Sequence, residues 1–224
     1  MNQIPRRQQN RIAKEASILA AALKVFAQCG YFGTSMDAIA AEAGLTKPTL
    51  YQYFDSKERL FTAMMVQKRD DMLIAFEQPS GDDMVAQLYA FSWLYADTVM
   101  RPDLLSLARL IIGEAQRFPE IGRAYQASGP DKVLQGMIAY LEARREAGSL
   151  AFEDAELAAQ DLWGLILSAP RTQALYLPDS QPTRADIARS IHNGLKVFLK
   201  AYSTRPDQDL IKLEGLQSPV SRNR

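Results

Sequence analysis

Two short apolar-periodic stretches separated by only three residues, Gly44-Leu45-Thr46, constrain this chain more than any other feature. Glycine takes the left-handed backbone of a helix C-terminus without steric cost, so Gly44 stops the first stretch. Thr46 reads as an N-cap and Pro48 falls in the first turn of the next helix, where a missing N–H is no loss. The first stretch starts at Thr34-Ser35-Met36-Asp37, where the Thr34 hydroxyl can cap and Asp37 can reach back. Its inward positions are Met36, Ile39, Ala40 and Ala43. The second stretch carries Leu50 and Phe54 on one face and leaves Lys47, Thr49, Gln52 and at least one of Tyr51 and Tyr53 on the other.

Neighbouring segments complete an all-helical unit over residues 10–69. Ile12, Ala16, Leu19, Leu23 and Phe26 alternate steps of four and three, the stripe of an amphipathic helix that Gly30 ends. Asp55 or Ser56 caps a fourth helix with Leu60, Phe61, Met64 and Met65 as core contacts. Beyond it the pattern predicts helices over 82–100, 103–117, 119–127, 130–147, 153–176 and 183–203, broken by prolines and glycines, with no convincing period-two alternation. Residues 204–224 turn polar and read as a mobile tail with a short packed piece around Leu210 to Leu213.

Scarcity excludes chemistry. Cys29 is the only cysteine and His192 the only histidine among 224 residues, so neither a disulfide nor a His-His or cysteine-rich metal site can form within the chain. No GxGxxG, GxxxxGK[ST] or GxSxG occurs. No catalytic residue, metal or cofactor is therefore expected, and the chain does not read as an enzyme. With no signal peptide read and no apolar run longer than Ile18 to Leu23, a soluble cytoplasmic protein without a membrane partner is expected.

Net charge is zero, yet residues 1–70 hold ten Lys/Arg against six Asp/Glu and the remainder carries the opposite excess. A basic N-terminal segment suits a polyanion. Two short helices joined by a glycine-started turn are the helix-turn-helix arrangement, whose second helix lies in the major groove of DNA. Lys47 offers a cation to phosphate or guanine, Thr49 a small hydroxyl or methyl to a base edge, and Gln52 a bidentate amide. Tyr51 and Tyr53 offer hydroxyls to phosphate, Tyr51 the better placed, and Pro48 keeps the tip narrow. Arg6, Arg7, Arg11 and Lys14, overlapping a basic arm over residues 1–9, read equally as a flexible arm adding non-specific affinity or as a solvated terminus.

These residues also carry a family resemblance. TSMDAIAAEAGLTKPTLYQYFDSKERLF, preceded by FAQCGYFG, resembles the DNA-binding signature of the TetR/AcrR family of one-component transcriptional regulators. The resemblance implies that Thr34 and Ser35 anchor the second helix to phosphate, that residues 46–53, Thr46 included, enter the groove, and that Lys57 grips the flanking backbone. EAQRFPEIGRAYQASGPDKV is similar to the C-terminal domain of an AefR-like branch of that family. Glu114 and Arg117 in it read as a structural ion pair or as a ligand clamp.

The fold class implied is all-α: an N-terminal three-helix helix-turn-helix DNA-binding unit over 10–69, and a C-terminal helical ligand-binding and dimerisation domain over 70–203. By that resemblance the two last long helices pair with their symmetry mates, giving Leu162, Ile166, Ile191, Leu195 and Phe198 as the dimer interface. Tyr89, Trp93, Tyr125, Met137, Tyr140 and Trp163 are candidates for an effector pocket or plain core. The expected function is a homodimeric regulator, a repressor by resemblance, that binds double-stranded palindromic operator DNA and leaves it on binding an unidentified small-molecule effector. The alternatives are a DNA-binding adaptor without a small-molecule pocket and an all-helical enzyme.

Overall fold

The structure, a computed structural model of the chain, describes residues 5–64, 66, 83–117 and 119–216. In chain order the helices are α1 (Arg6–Gly33), α2 (Met36–Glu42) and α3 (Lys47–Tyr51), then α4, helical over 57–64. They continue with α5 (Met84–Val99), α6 (Pro102–Glu114), α7 (Pro119–Ser128), α8 (Pro130–Glu146), α9 (Ala155–Tyr176), α10 (Arg184–Tyr202) and α11 (Pro206–Gly215). The fold is all-α: among the described residues, extended pairing is limited to one bridge between Leu150 and Ser203. The core role expected of Met65 lies outside the described residues.

The helices gather into two compact units. One holds α1–α4 with α6 and α7, the other α5 with α8–α11. Read from the sequence, residues 102–128 belong to the C-terminal domain. In the structure Leu107, Ile111 and Ile121 turn into the same core as Phe26, Ile39, Leu50 and Leu60. Which core an amphipathic helix covers is a long-range choice that its own periodicity does not encode.

Within the first unit α1 starts at Arg6, directly after Pro5, so from there the basic segment is helix rather than arm. Ile12 stays 52% exposed and the buried stripe runs from Ile18 through Leu19, Ala22 and Leu23 to Phe26. By length and composition α1 could cross a membrane, yet its apolar side is part of the unit's core. Gly30 (φ 77°) breaks its path, a conformation that costs a side chain but not glycine. Phe26 then stacks on Tyr31 (5.6 Å between ring centroids) and meets Phe61 of α4 edge-on (5.5 Å).

The carbonyls that α1 leaves without partners at this end find donors from elsewhere. The Thr34 hydroxyl donates to Gly30 O at 2.6 Å, and the Lys57 ammonium donates to Tyr31 O at 2.8 Å and Thr34 O at 3.1 Å. Lys57 also sits 4.5 Å from the Tyr31 ring centre, a cation–π contact. Burial first, then the charge of Glu58, pushes the Tyr31 phenol above its ordinary range, so it stays a neutral donor.

In the second unit three helices carry side-chain N-caps. Asp83 accepts from Val85 N at 3.0 Å, Asp154 from Glu156 N at 2.8 Å, and Thr183 with Asp186 completes a capping box on α10. The Thr183 hydroxyl and backbone N–H hold the Asp186 carboxyl below its usual range. Where α9 and α10 cross, a Cβ built on Gly194 would lie 2.6 Å from Leu165 O and 2.9 Å from Ile166 Cα. Only glycine permits so close an approach of two backbones.

Two expectations are corrected here. Residues 206–215 form α11, with Asp209 and Leu213 buried, so the tail reading over 204–224 fails for its first half. Leu210, Leu213 and Leu216, three apart, meet the core, in line with the packed piece expected around Leu210 to Leu213, and Ser203 Oγ donates to Asp209 at 2.7 Å. Residues 217–224 lie outside the described residues. Leu162, Ile166, Ile191, Leu195 and Phe198 are at most 1% exposed within a single chain, so they cannot meet a partner. The most regular apolar stripe of these helices serves the chain's own core.

Gly194→Ala should destabilise the chain by about 1–3 kcal/mol, because backbone rather than a side-chain tip must give way, read as a lower denaturant midpoint. Lys57→Ala should cost about 1–2 kcal/mol through two carbonyls left without their charged donor, read as a lower melting temperature.

Candidate nucleic-acid interface

The α2–α3 turn is built by backbone hydrogen bonds. Gly44 (φ 64°) is followed by Leu45, whose N–H donates to Ala40 O at 2.8 Å, while Gly44 N donates to Ala41 O at 3.1 Å. This pair of bonds is the Schellman end of α2. Thr46 then caps α3, its hydroxyl 2.8 Å from that of Thr49 and accepting from Thr49 N at 3.4 Å. Leu50, fully buried, pins α3 to the core.

With Leu50 inward, Thr46, Lys47, Pro48, Tyr51 and Gln52 stand exposed, and Thr49 and Tyr53 are half-buried. Tyr51 is 42% exposed while Tyr53 packs partly on the core, so spacing by two sends the tyrosines to different surroundings. Lys47 bridges to Asp37 of α2 at 3.0 Å, and that hydrogen bond raises its pKa. An exposed pair of this kind is worth little in water, so it aims Lys47 without withholding it from a phosphate. Lys24 of α1 clasps Glu42 of α2 at 2.6 Å.

The expected phosphate contact of the Thr34 hydroxyl is corrected. Thr34 is 3% exposed and its hydroxyl is spent on Gly30 O. Ser35 is the N-cap of α2, accepting from Ala38 N at 3.1 Å. The one-residue shift follows from the Gly30 carbonyl of α1, which takes the first hydroxyl beyond the helix. Lys57, half-buried, gives two of its three N–H donors to the carbonyls of Tyr31 and Thr34. Asn10 was not singled out from sequence, yet with Arg7, Arg11, Lys14, Gln52 and Tyr53 it lines a groove of about 550 Å³.

The residues expected in an effector pocket separate. Met137 and Trp163 line an apolar cavity of about 10 Å³ with Phe91, Tyr95, Val133 and others, and the Trp163 indole N–H donates to the Tyr95 hydroxyl. Tyr140 donates to Gln87 at 2.7 Å, and burial first pushes its phenol up to about 12. Trp93, 2% exposed, is core with the Arg184 guanidinium 4.3 Å from its ring centre. Tyr89 borders a surface groove with His192. Tyr125 packs against the other unit's core and is not part of this cluster. Arg117 N donates to Glu114 O at 3.0 Å, and Phe118 lies outside the described residues.

Comparison with known proteins agrees with this arrangement. Residues 18–64 match the profile of bacterial regulatory proteins of the tetR family, and residues 86–204 match the C-terminal domain of AefR-like transcriptional repressors. The HTH-type transcriptional regulator RutR of Escherichia coli K12 is 47% identical over 58 residues, 26% of this chain and 27% of RutR. The transcriptional activator FasR of Mycolicibacterium smegmatis is 37% identical over 75 residues, 32% of this chain and 34% of FasR. The chain thus spans about a third or less of these curated relatives. Solved structures match at greater length. A TetR-family regulator from Mesorhizobium loti MAFF303099 superposes with a TM-score of 0.75 at 29% identity, covering 86% of this chain and 98% of that one. The flavonoid-responsive regulator FrrA does so with a TM-score of 0.67 at 33% identity, over 86% and 98%. The turn geometry, the exposed face of α3 and the span of these matches lead to one statement: the chain belongs to the TetR family of transcriptional regulators, with a DNA-binding helix-turn-helix in α2 and α3.

Proposed function

We propose that this regulator is a cytoplasmic homodimer that holds a palindromic operator through α3 and leaves it when a small molecule occupies the unit built on α5 and α8–α11. The observation that carries the proposal is α3 itself, pinned by one buried leucine with Lys47, Pro48, Tyr51 and Gln52 in solvent. Thr49 and Gln52 read base edges, and Lys47, Tyr51 and Ser35 hold phosphates. Repression is favoured by the AefR-like repressor match; FasR, named an activator, is the counter-case.

The dimer face is the outer side of α9 and α10. Leu157 is 57% and Val197 42% exposed, and a Cβ on Gly164 would meet nothing within 4 Å, leaving room for a partner helix. The effector site is the apolar cavity beside Trp163. FrrA is named flavonoid-responsive, and a flat aromatic molecule whose acceptor replaces the Tyr95 hydroxyl at the Trp163 N–H suits walls of Phe91, Tyr95 and Met137. At about 10 Å³ the cavity is at the lower limit for one water. An effector must therefore select a conformation with Trp163 displaced, and its apparent affinity carries that cost. The small cavity is also the observation behind a second reading, a DNA-binding adaptor with no small-molecule site.

Thr49→Ala or Gln52→Ala should weaken binding to the selected operator by about 1–3 kcal/mol and leave scrambled DNA nearly unaffected; equal losses on both would remove the base-reading role. Val197→Asp with Leu157→Asp should sediment as a folded monomer, whereas Leu195→Asp should unfold the chain. A dimer that survives the first pair would refute this face. In a Trp93→Phe variant, which leaves Trp163 as the single indole, flavonoids should quench fluorescence and lose affinity when operator is present, by the factor by which they weaken operator binding. Absence of quenching by flat aromatics would favour the adaptor.

A further inference from the structure

We infer that the first turns of α1 form a second phosphate-binding strip, which tracks the backbone of double-stranded DNA beside the groove that α3 enters. The inference rests on the reading of α3 as the recognition helix. Arg7, Arg11 and Lys14, at steps of four and three, share one face of α1. Together with Asn10 they form one wall of the groove of about 550 Å³ whose other wall is Gln52 and Tyr53, at the end of α3. The strip is thus continuous with the recognition surface within one compact unit.

Its charges are uncommitted, and that sets them apart from other cations of α1–α4. Lys24, Lys47 and Arg59 each hold a carboxylate, and Lys57 holds two carbonyls. Arg7, Arg11 and Lys14 make no ion pair or hydrogen bond among the described residues, and the first turn of α1 holds no acid. Three like charges on one helix face repel one another in the free protein; a polyanion reverses the sign of that term. Asn, Gln and Tyr side chains beside the cations are donors to phosphate oxygens, and the shared groove with Gln52 and Tyr53 at the end of α3 commits the strip to DNA. From Arg7 to Lys14 the helix rises by about 10 Å, the axial length of about three phosphates of one strand.

The test uses the full chain, a short duplex of scrambled sequence, and duplexes recovered by the protein from a randomised pool. On the scrambled duplex the slope of log affinity against log salt should fall by about 0.9 per chain for Arg7→Ala, Arg11→Ala or Lys14→Ala, and by about 2.7 for the triple variant. Arg11→Lys should keep the slope. A control triple, Lys132→Ala, Lys200→Ala and Arg205→Ala, removes the same charge from the other unit and should also keep it. A wild-type slope in the R7A/R11A/K14A variant, or an equal fall in the control, would overturn the strip. If the triple variant melts early, R11A alone carries the same test. Failure of the α3 reading is seen separately, as a chain that enriches no sequence from the pool while the slopes on scrambled DNA still report on α1.

Discussion

The recognition surface depends on how the end of α1 is closed. A helix end leaves carbonyls without intrahelical partners, and burying them unpaired would cost more than the turn could return. Here the donors come from Thr34, four residues beyond Gly30, and from Lys57, more than twenty residues further on. Because Lys57 is the first residue of α4, closing α1 also fixes α4, and with it Phe61 against Phe26 and Tyr31. The α2–α3 pair is suspended between these two anchors. Its own ties, Lys24–Glu42 and Lys47–Asp37, lie on the surface and add direction rather than much stability.

The second unit solves a different problem, packing two long apolar helices at close range. Gly194 against Leu165 brings the backbones of α9 and α10 together, and Ala155, Ala158 and Ala159 on α9 are buried nearby in sequence. Small residues at a crossing give rigidity at the cost of space. What space remains is the narrow cavity by Trp163, walled by aromatic rings and Met137, whose flexible thioether side chain adapts to irregular shapes. A ligand that enters there must do so by rearranging side chains rather than the α9–α10 crossing.

Electrostatics divides the cations of the first unit by task. Lys24, Lys47, Arg59 and Lys57, held by carboxylates or carbonyls, orient helices, while Arg7, Arg11 and Lys14, without an ion pair among the described residues, lie where α1 and α3 border one groove. Net charge hides this division, since the chain as a whole is neutral.

The helix-turn-helix was legible in the sequence because its signals are local. Gly44 needs a positive φ, Thr46 needs a cap to bond, Pro48 needs a first turn, and Leu50 alone faces inward, all within a few residues. The boundaries of α5–α10 were legible to within a few residues for the same reason. What the sequence could not assign was the partner of each side chain. Thr34 looks like a phosphate ligand until the carbonyls of α1 are placed beside it. The stripe of Leu195 and Phe198 looks like a dimer seam until α9 covers it. Residues 206–209 look like tail until the helix that carries Leu213 onto the core is seen to begin with them. Tyr125 looks like a neighbour of Tyr140 until α6 and α7 pack with α1. Sequence by itself determined where helices start, stop and turn apolar, since those preferences act over one or two turns; only the tertiary structure decided which buried face meets which and which polar groups are left for DNA, because such pairings are set by contacts far apart along the chain.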